Sequence, residues 1–147
     1  MVSAWHTIDL RKLLNLKTKK MKNRNKILYW LFTALLCFGM LGSGISQLIH
    51  QKEMDAHNSH VGFPLYFLPL LGIWKILGVI VILLPNFKLL KEWAYAGFFF
   101  LMSGALFSHL AVGDSGKEII GPLCQCIFVV LSWYFRPDDR KIILKKE

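Results

Sequence analysis

Four apolar runs divide this chain, at residues 27–49, 64–84, 92–112 and 117–135. Polar stretches of four to fourteen residues separate them. At a rise of about 1.5 Å per residue, a helix of about twenty residues crosses the roughly 30 Å of a bilayer's hydrocarbon. The pattern predicts an all-α protein, a four-transmembrane-helix antiparallel bundle. Tyr29 and Trp30, Trp93 and Tyr95, and Trp133 and Tyr134 stand where aromatic side chains anchor spans at the lipid–water boundary. Pro64 suits a helix start, Pro69 is placed to kink the second span, and Pro85–Asn86 stops it. Pro122 is expected in the first turn of the fourth span.

Composition supports lipid as the solvent. At 54% hydrophobic residues and a mean hydropathy of +0.44 in 147 residues, a soluble fold would leave much of this apolar surface exposed. The net charge of +9 does not point to nucleic acid, because the basic residues lie mostly outside the apolar runs and beside no recognition motif. They read as topology signals. Residues 1–26 carry eight basic residues against one acid, and the three links carry one against two, two against one, and one against two. The tail at 136–147 carries five against three. This alternation places both termini in the cytoplasm, with the chain in a bacterial inner membrane.

Residues 1–26 form a basic segment, 27–135 the membrane domain and 136–147 a charged tail. Ile8, Leu10, Leu13, Leu14 and Leu16 suggest an interfacial helix on an anionic surface. Met21 opens MKNRNKILYW like a natural start, so residues 1–20 also read as a non-native upstream extension.

Within the spans, ionisable and amide groups are the candidates for function. Lys75 sits near the middle of the second span, level with Ser103 and Gln125, either of which could be its partner. His109 and Asp114 close the third span nearer the outer surface, which suggests two polar layers rather than one site. Gly39, Ser43 and Gln47 form a stripe at i, i+4 and i+8, with Gln47 a further pocket candidate. Gly39, Ser43, Gly72, Gly78, Gly97 and Gly104 are small enough for close helix packing. His50, His57 and His60 lie in or beside the first link, but their spacing matches no standard closed metal site, so no metal is expected. Cys37, Cys124 and Cys126 read as packing thiols, and the absence of CxxC argues against disulfide exchange.

The runs LLGIWKILGVIVILLP and EWAYAGFFFLMSGALFSHLAVGD resemble the DoxX-like family of small four-helix membrane proteins. The resemblance rests on Gly72, Lys75, Glu92, Trp93, Ala94, Gly97, Gly104, His109 and Asp114, and extends over about residues 27–135. It implies an accessory or redox-linked subunit that binds a quinone or lipid-like molecule between its helices. Its partners would be membrane lipids, a membrane oxidoreductase complex or a second copy. It assigns no catalytic residue. A small-solute carrier or channel and a structural assembly factor are the alternatives, and autonomous catalysis is not expected because no nucleophile or cofactor fingerprint accompanies His109 and Asp114.

Overall fold

The computed structural model describes residues 2–142, with side chains described for 16–19 and 21–142. Among the described residues there are five α-helices and no strand: α1 Val2–Leu48, α2 Lys52–His60, α3 Leu68–Leu83, α4 Lys88–Ala111 and α5 Gly116–Phe135. Short 3-10 turns stand at Leu65–Phe67 and Asp138–Arg140. Four segments are long and apolar enough to cross a membrane: Leu16–Leu48, Leu65–Leu83, Lys88–Ala111 and Gly116–Phe135.

α1, α3 and α4 pair through buried stripes at three- and four-residue spacing, the period that keeps a helix face turned to its neighbour. On α1 the stripe includes Tyr29, Thr33, Leu36, Met40 and Gln47. On α3 it includes Leu68, Leu71, Lys75, Val79 and Ile82, and on α4 Lys91, Tyr95, Phe98, Met102 and His109. α1 packs on α3 and α5, and α4 closes the ring against both. Outward, Phe38, Phe100 and Phe107 are 84%, 71% and 72% exposed, an arrangement suited to lipid and costly in water.

The core is apolar through the middle, where Leu36, Met40, Val79, Ile82, Tyr95, Phe98 and Val129 meet. Phe32 stacks on Phe128 and Phe135, tying α1 to α5. A buried hydroxyl chain adds direction: Thr33 Oγ1 lies 2.7 Å from Ser132 Oγ, which lies 2.8 Å from Tyr95 Oη. Thr33 also bonds the Tyr29 carbonyl, so these polar groups are satisfied without water.

Several expected boundaries change. The link after the first span is largely helical, as α2. α4 begins at Lys88, so Lys91 belongs to a helix rather than a turn. Pro69 occupies the first turn of α3, where a missing N–H costs nothing and no kink is needed. Pro122 lies inside α5 rather than in its first turn, because the helix starts at Gly116. α1 runs without interruption from the basic segment into the span. The suggested apolar face of Ile8, Leu10, Leu13 and Leu14 lies outside the described side chains.

Candidate functional site

The site begins with a close crossing of α1 and α3. A Cβ on Gly72 would stand 2.5 Å from the Gly44 carbonyl oxygen, so the two backbones are nearly in contact there. Three residues further along α3 is Lys75, one helical turn on and on the same inner stripe. Its Nζ donates to Ser43 Oγ at 3.1 Å, and Ser43 Oγ lies 3.4 Å from the Met40 carbonyl. Lys75 is 4% exposed, so an ammonium with one hydrogen-bond acceptor is held inside the bundle.

Above it opens a cavity of about 280 Å³, walled by α1, α2, α3, α4 and α5. Lys75, His57 and His109 supply its ionisable groups, Gln47, Asn58 and Gln125 its amides, and Met54, Phe63 and Met102 supply apolar wall. Gly39 matters here because the Gln125 amide lies across its α-carbon: a Cβ would fall 1.6 Å from Gln125 Nε2. Gln47 Nε2 donates to Asn58 Oδ1 at 3.3 Å, but Gln47 Oε1 and Gln125 Oε1 are buried without hydrogen-bond partners. Two orphaned acceptors beside a buried lysine are unusual in a closed core and fit a site completed by a ligand or water.

α2 roofs this cavity. Asp114 joins the roof to the bundle: its Oδ2 lies 2.6 Å from His109 Nδ1 and its Oδ1 2.7 Å from His60 Nε2. A carboxylate only accepts, so both ring nitrogens carry protons, and the Nε2 edge of His109 is left for another partner. Those two hydrogen bonds, from His109 first and His60 second, hold the Asp114 carboxyl below its ordinary value. The His57 ring packs on the His109 ring with centroids 4.7 Å apart. His57 titrates below its ordinary 6.5, first because burial penalises its charge and next because His109 repels it, with Asp114 and Glu118 partly offsetting.

Both shifts have the same sign for the roof. A histidine held low and a carboxylate held low each contribute stability that is present at neutral pH and lost on acidification, beginning below His57's ordinary 6.5. Hydrogen exchange of α2 amides, corrected for intrinsic rates, should rise between pH 7 and pH 5 while the middle of α4 stays protected. Equal protection of α2 across that range would contradict this account.

The structure therefore brings Lys75 and His109 together on one cavity, where depth in the sequence suggested two polar layers. The reason is that Lys75 on the buried face of α3 and His109 on that of α4 border the same space, and α2 closes over it. Lys75 is bonded to Ser43, rather than to Ser103 or Gln125, although Gln125 shares its cavity. Ser103 lies off the cavity and bonds the Phe100 carbonyl of its own helix. Asp114 positions His109 without lining the cavity. His50 pairs with Asp55. Among the described residues, no three His, Cys, Asp or Glu side chains are grouped to hold a metal ion. Gly78 receives the Phe98 ring, whereas among the described residues no atom of another helix lies within 4 Å of where a Cβ on Gly97 or Gly104 would stand. Cys37, Cys124 and Cys126 are free thiols.

Sequence reasoning missed the cations at the opposite end. Lys91 is fully buried and donates to the carbonyls of Val81 at 2.7 Å, Ile82 at 2.8 Å and Leu84. Arg136 pairs with Glu92, and Arg140 reaches the Ile82 carbonyl at 3.2 Å. The available signal was Pro85–Asn86, which ends α3 and leaves its last carbonyls in need of donors. Glu92 is thus at one end of the bundle and His109 with Asp114 at the other.

Residues 31–133 match the model of the DoxX-like family. No curated protein and no solved structure matches the chain.

Proposed function

We propose, from the premise that this chain belongs to the DoxX-like family, that it is an accessory or redox-linked membrane subunit holding a carbonyl-bearing, quinone- or lipid-like molecule in the α2-roofed cavity. The observation that carries this reading is the convergence of Lys75 and His109 on one cavity of about 280 Å³ inside the bundle. An ammonium with donors to spare suits a carbonyl or phenolate oxygen, and Met54, Phe63 and Met102 suit the faces of a ring. His109, oriented by Asp114, can accept or supply a proton at its Nε2 as such an oxygen changes charge.

Binding is favoured over conduction because the apolar cluster of Met40, Val79, Phe98 and Met102 fills the bundle below the cavity. The alternation of charge supports placing both termini in the cytoplasm and the chain in a bacterial inner membrane.

Ubiquinone and menaquinone analogues titrated into purified protein by calorimetry test the reading. Wild type is expected to bind at least one of them. Lys75→Met should weaken that affinity about tenfold, the scale of one charge-assisted hydrogen bond, while Ser103→Ala leaves it unchanged. No binding of any analogue, together with no co-purified lipidic molecule by mass spectrometry, overturns it.

A further inference from the structure

The end of the bundle away from α2 carries a second, differently built recess. Asn25, Glu92, Trp133, Tyr134, Arg136, Lys141 and Ile142 wall a space of about 490 Å³ there. Its one carboxylate is already engaged: Glu92 Oε2 accepts from Trp133 Nε1 at 2.8 Å, and Oε1 accepts from Arg136 Nη2. The donors are not used up. Arg136 is 3% exposed, and its Nε and Nη1 have no hydrogen-bond partner. The guanidinium lies 5.2 Å from the Tyr95 ring centre and 6.0 Å from that of Trp133, contacts that steady a cation without satisfying its N–H groups. Lys141 Nζ spends one donor on the Tyr134 carbonyl at 3.2 Å and keeps two.

The charge balance points the same way. Lys91 and Arg140 stand nearby, both committed to carbonyls at the end of α3. On α1, Asn25 is flanked by Arg24 and Lys26, both exposed. Asp138 and Asp139 follow in the tail but are exposed and do not wall the recess. A surplus of donors, a buried arginine with open valences and positive charge at an aromatic-rich helix end together describe an acceptor-rich anion as the missing component.

We propose that this recess binds a phosphate group through Arg136 and Lys141, either the phosphate of an anionic lipid headgroup or free phosphate. Trp133, Tyr134 and Ile142 then flank the ester side of the group, as interfacial aromatic residues do. This site is independent of the cavity beneath α2 and stands or falls without it.

Native mass spectrometry of the full chain, released from detergent holding equal amounts of phosphatidylglycerol and phosphatidylcholine, reads the proposal directly. Wild type should retain phosphatidylglycerol about fivefold or more over phosphatidylcholine. Lys141→Gln, on the tail and outside the packed core, should lower that preference about fivefold, and Arg136→Gln should abolish it. If Arg136→Gln fails to fold, Lys141→Gln alone carries the test. Displacement of the lipid by millimolar inorganic phosphate, with phosphate bound to lipid-free protein, would assign the site to free phosphate; lipid retention in its presence assigns it to the headgroup. Equal retention of the two lipids with no phosphate bound overturns the proposal, as does a lipid preference that both variants keep.

Discussion

Replacing Lys91 with methionine should destabilise the protein by about 3 kcal/mol, because a buried cation that satisfies several carbonyls is lost at once. α3 ends at Leu83, and the last carbonyls of any helix lack intrahelical partners. The Leu84 N–H takes the Ile80 carbonyl at 3.0 Å. Lys91 Nζ takes those of Val81, Ile82 and Leu84, and Arg140 reaches those of Ile82 and Leu83. Positive charge at a helix C-terminus also opposes the negative end of its dipole. Methionine keeps the length of the side chain and removes every donor. The melting midpoint of the detergent-solubilised protein should fall by about 10 °C. Lys88→Met is the control: Lys88 lies in the same short segment but is exposed, and should change stability by less than about 0.5 kcal/mol. Equal midpoints for the two variants would remove the capping role assigned to Lys91.

The second large effect is expected at Gly72. An alanine there places its Cβ 2.5 Å from the Gly44 carbonyl oxygen and 3.3 Å from the Leu48 nitrogen, and both are backbone atoms that no rotamer change can move. α1 and α3 must separate, which loosens the pairing that holds Lys75 against Ser43. A cost of about 2–3 kcal/mol follows from overpacking at a fixed contact. Gly104→Ala meets nothing within 4 Å and exchanges a poor helix former for a good one, so it should be neutral or stabilising by up to about 1 kcal/mol. Unfolding in graded denaturing detergent separates the two. A Gly72→Ala protein as stable as Gly104→Ala would mean that the crossing is looser than described.

These two positions show how far a reading of the residues reaches. Lys88 and Lys91 look alike in the chain, as basic residues of one polar turn. They differ because α4 starts early enough to turn Lys91 inward onto the end of α3, and only the packed helices decide that. Gly72 and Gly104 likewise share an expectation of close packing, yet only Gly72 has a partner helix over it. Lys75 was legible as a candidate because a charge in an apolar run is costly wherever it points. Its partner was not legible, since helix rotation depends on the stripes of three neighbours together.

What the residue pattern determines alone is the solvent and the scaffold. Apolar runs of the right length, closed by prolines, aromatic anchors and charge, require an all-α bundle of four spans because lipid offers backbone groups no other partner. The tertiary structure decided which polar groups meet. By folding α2 back over the bundle it placed His57 on His109, linked His60 to Asp114, and closed one cavity over Lys75 where the chain suggested two separate layers. The physical reason is that burial in the hydrocarbon is a property of each residue's own side chain and sums along the sequence. A hydrogen bond between helices depends on rotation, depth and a turn's path at once, and those are set only when all the helices pack.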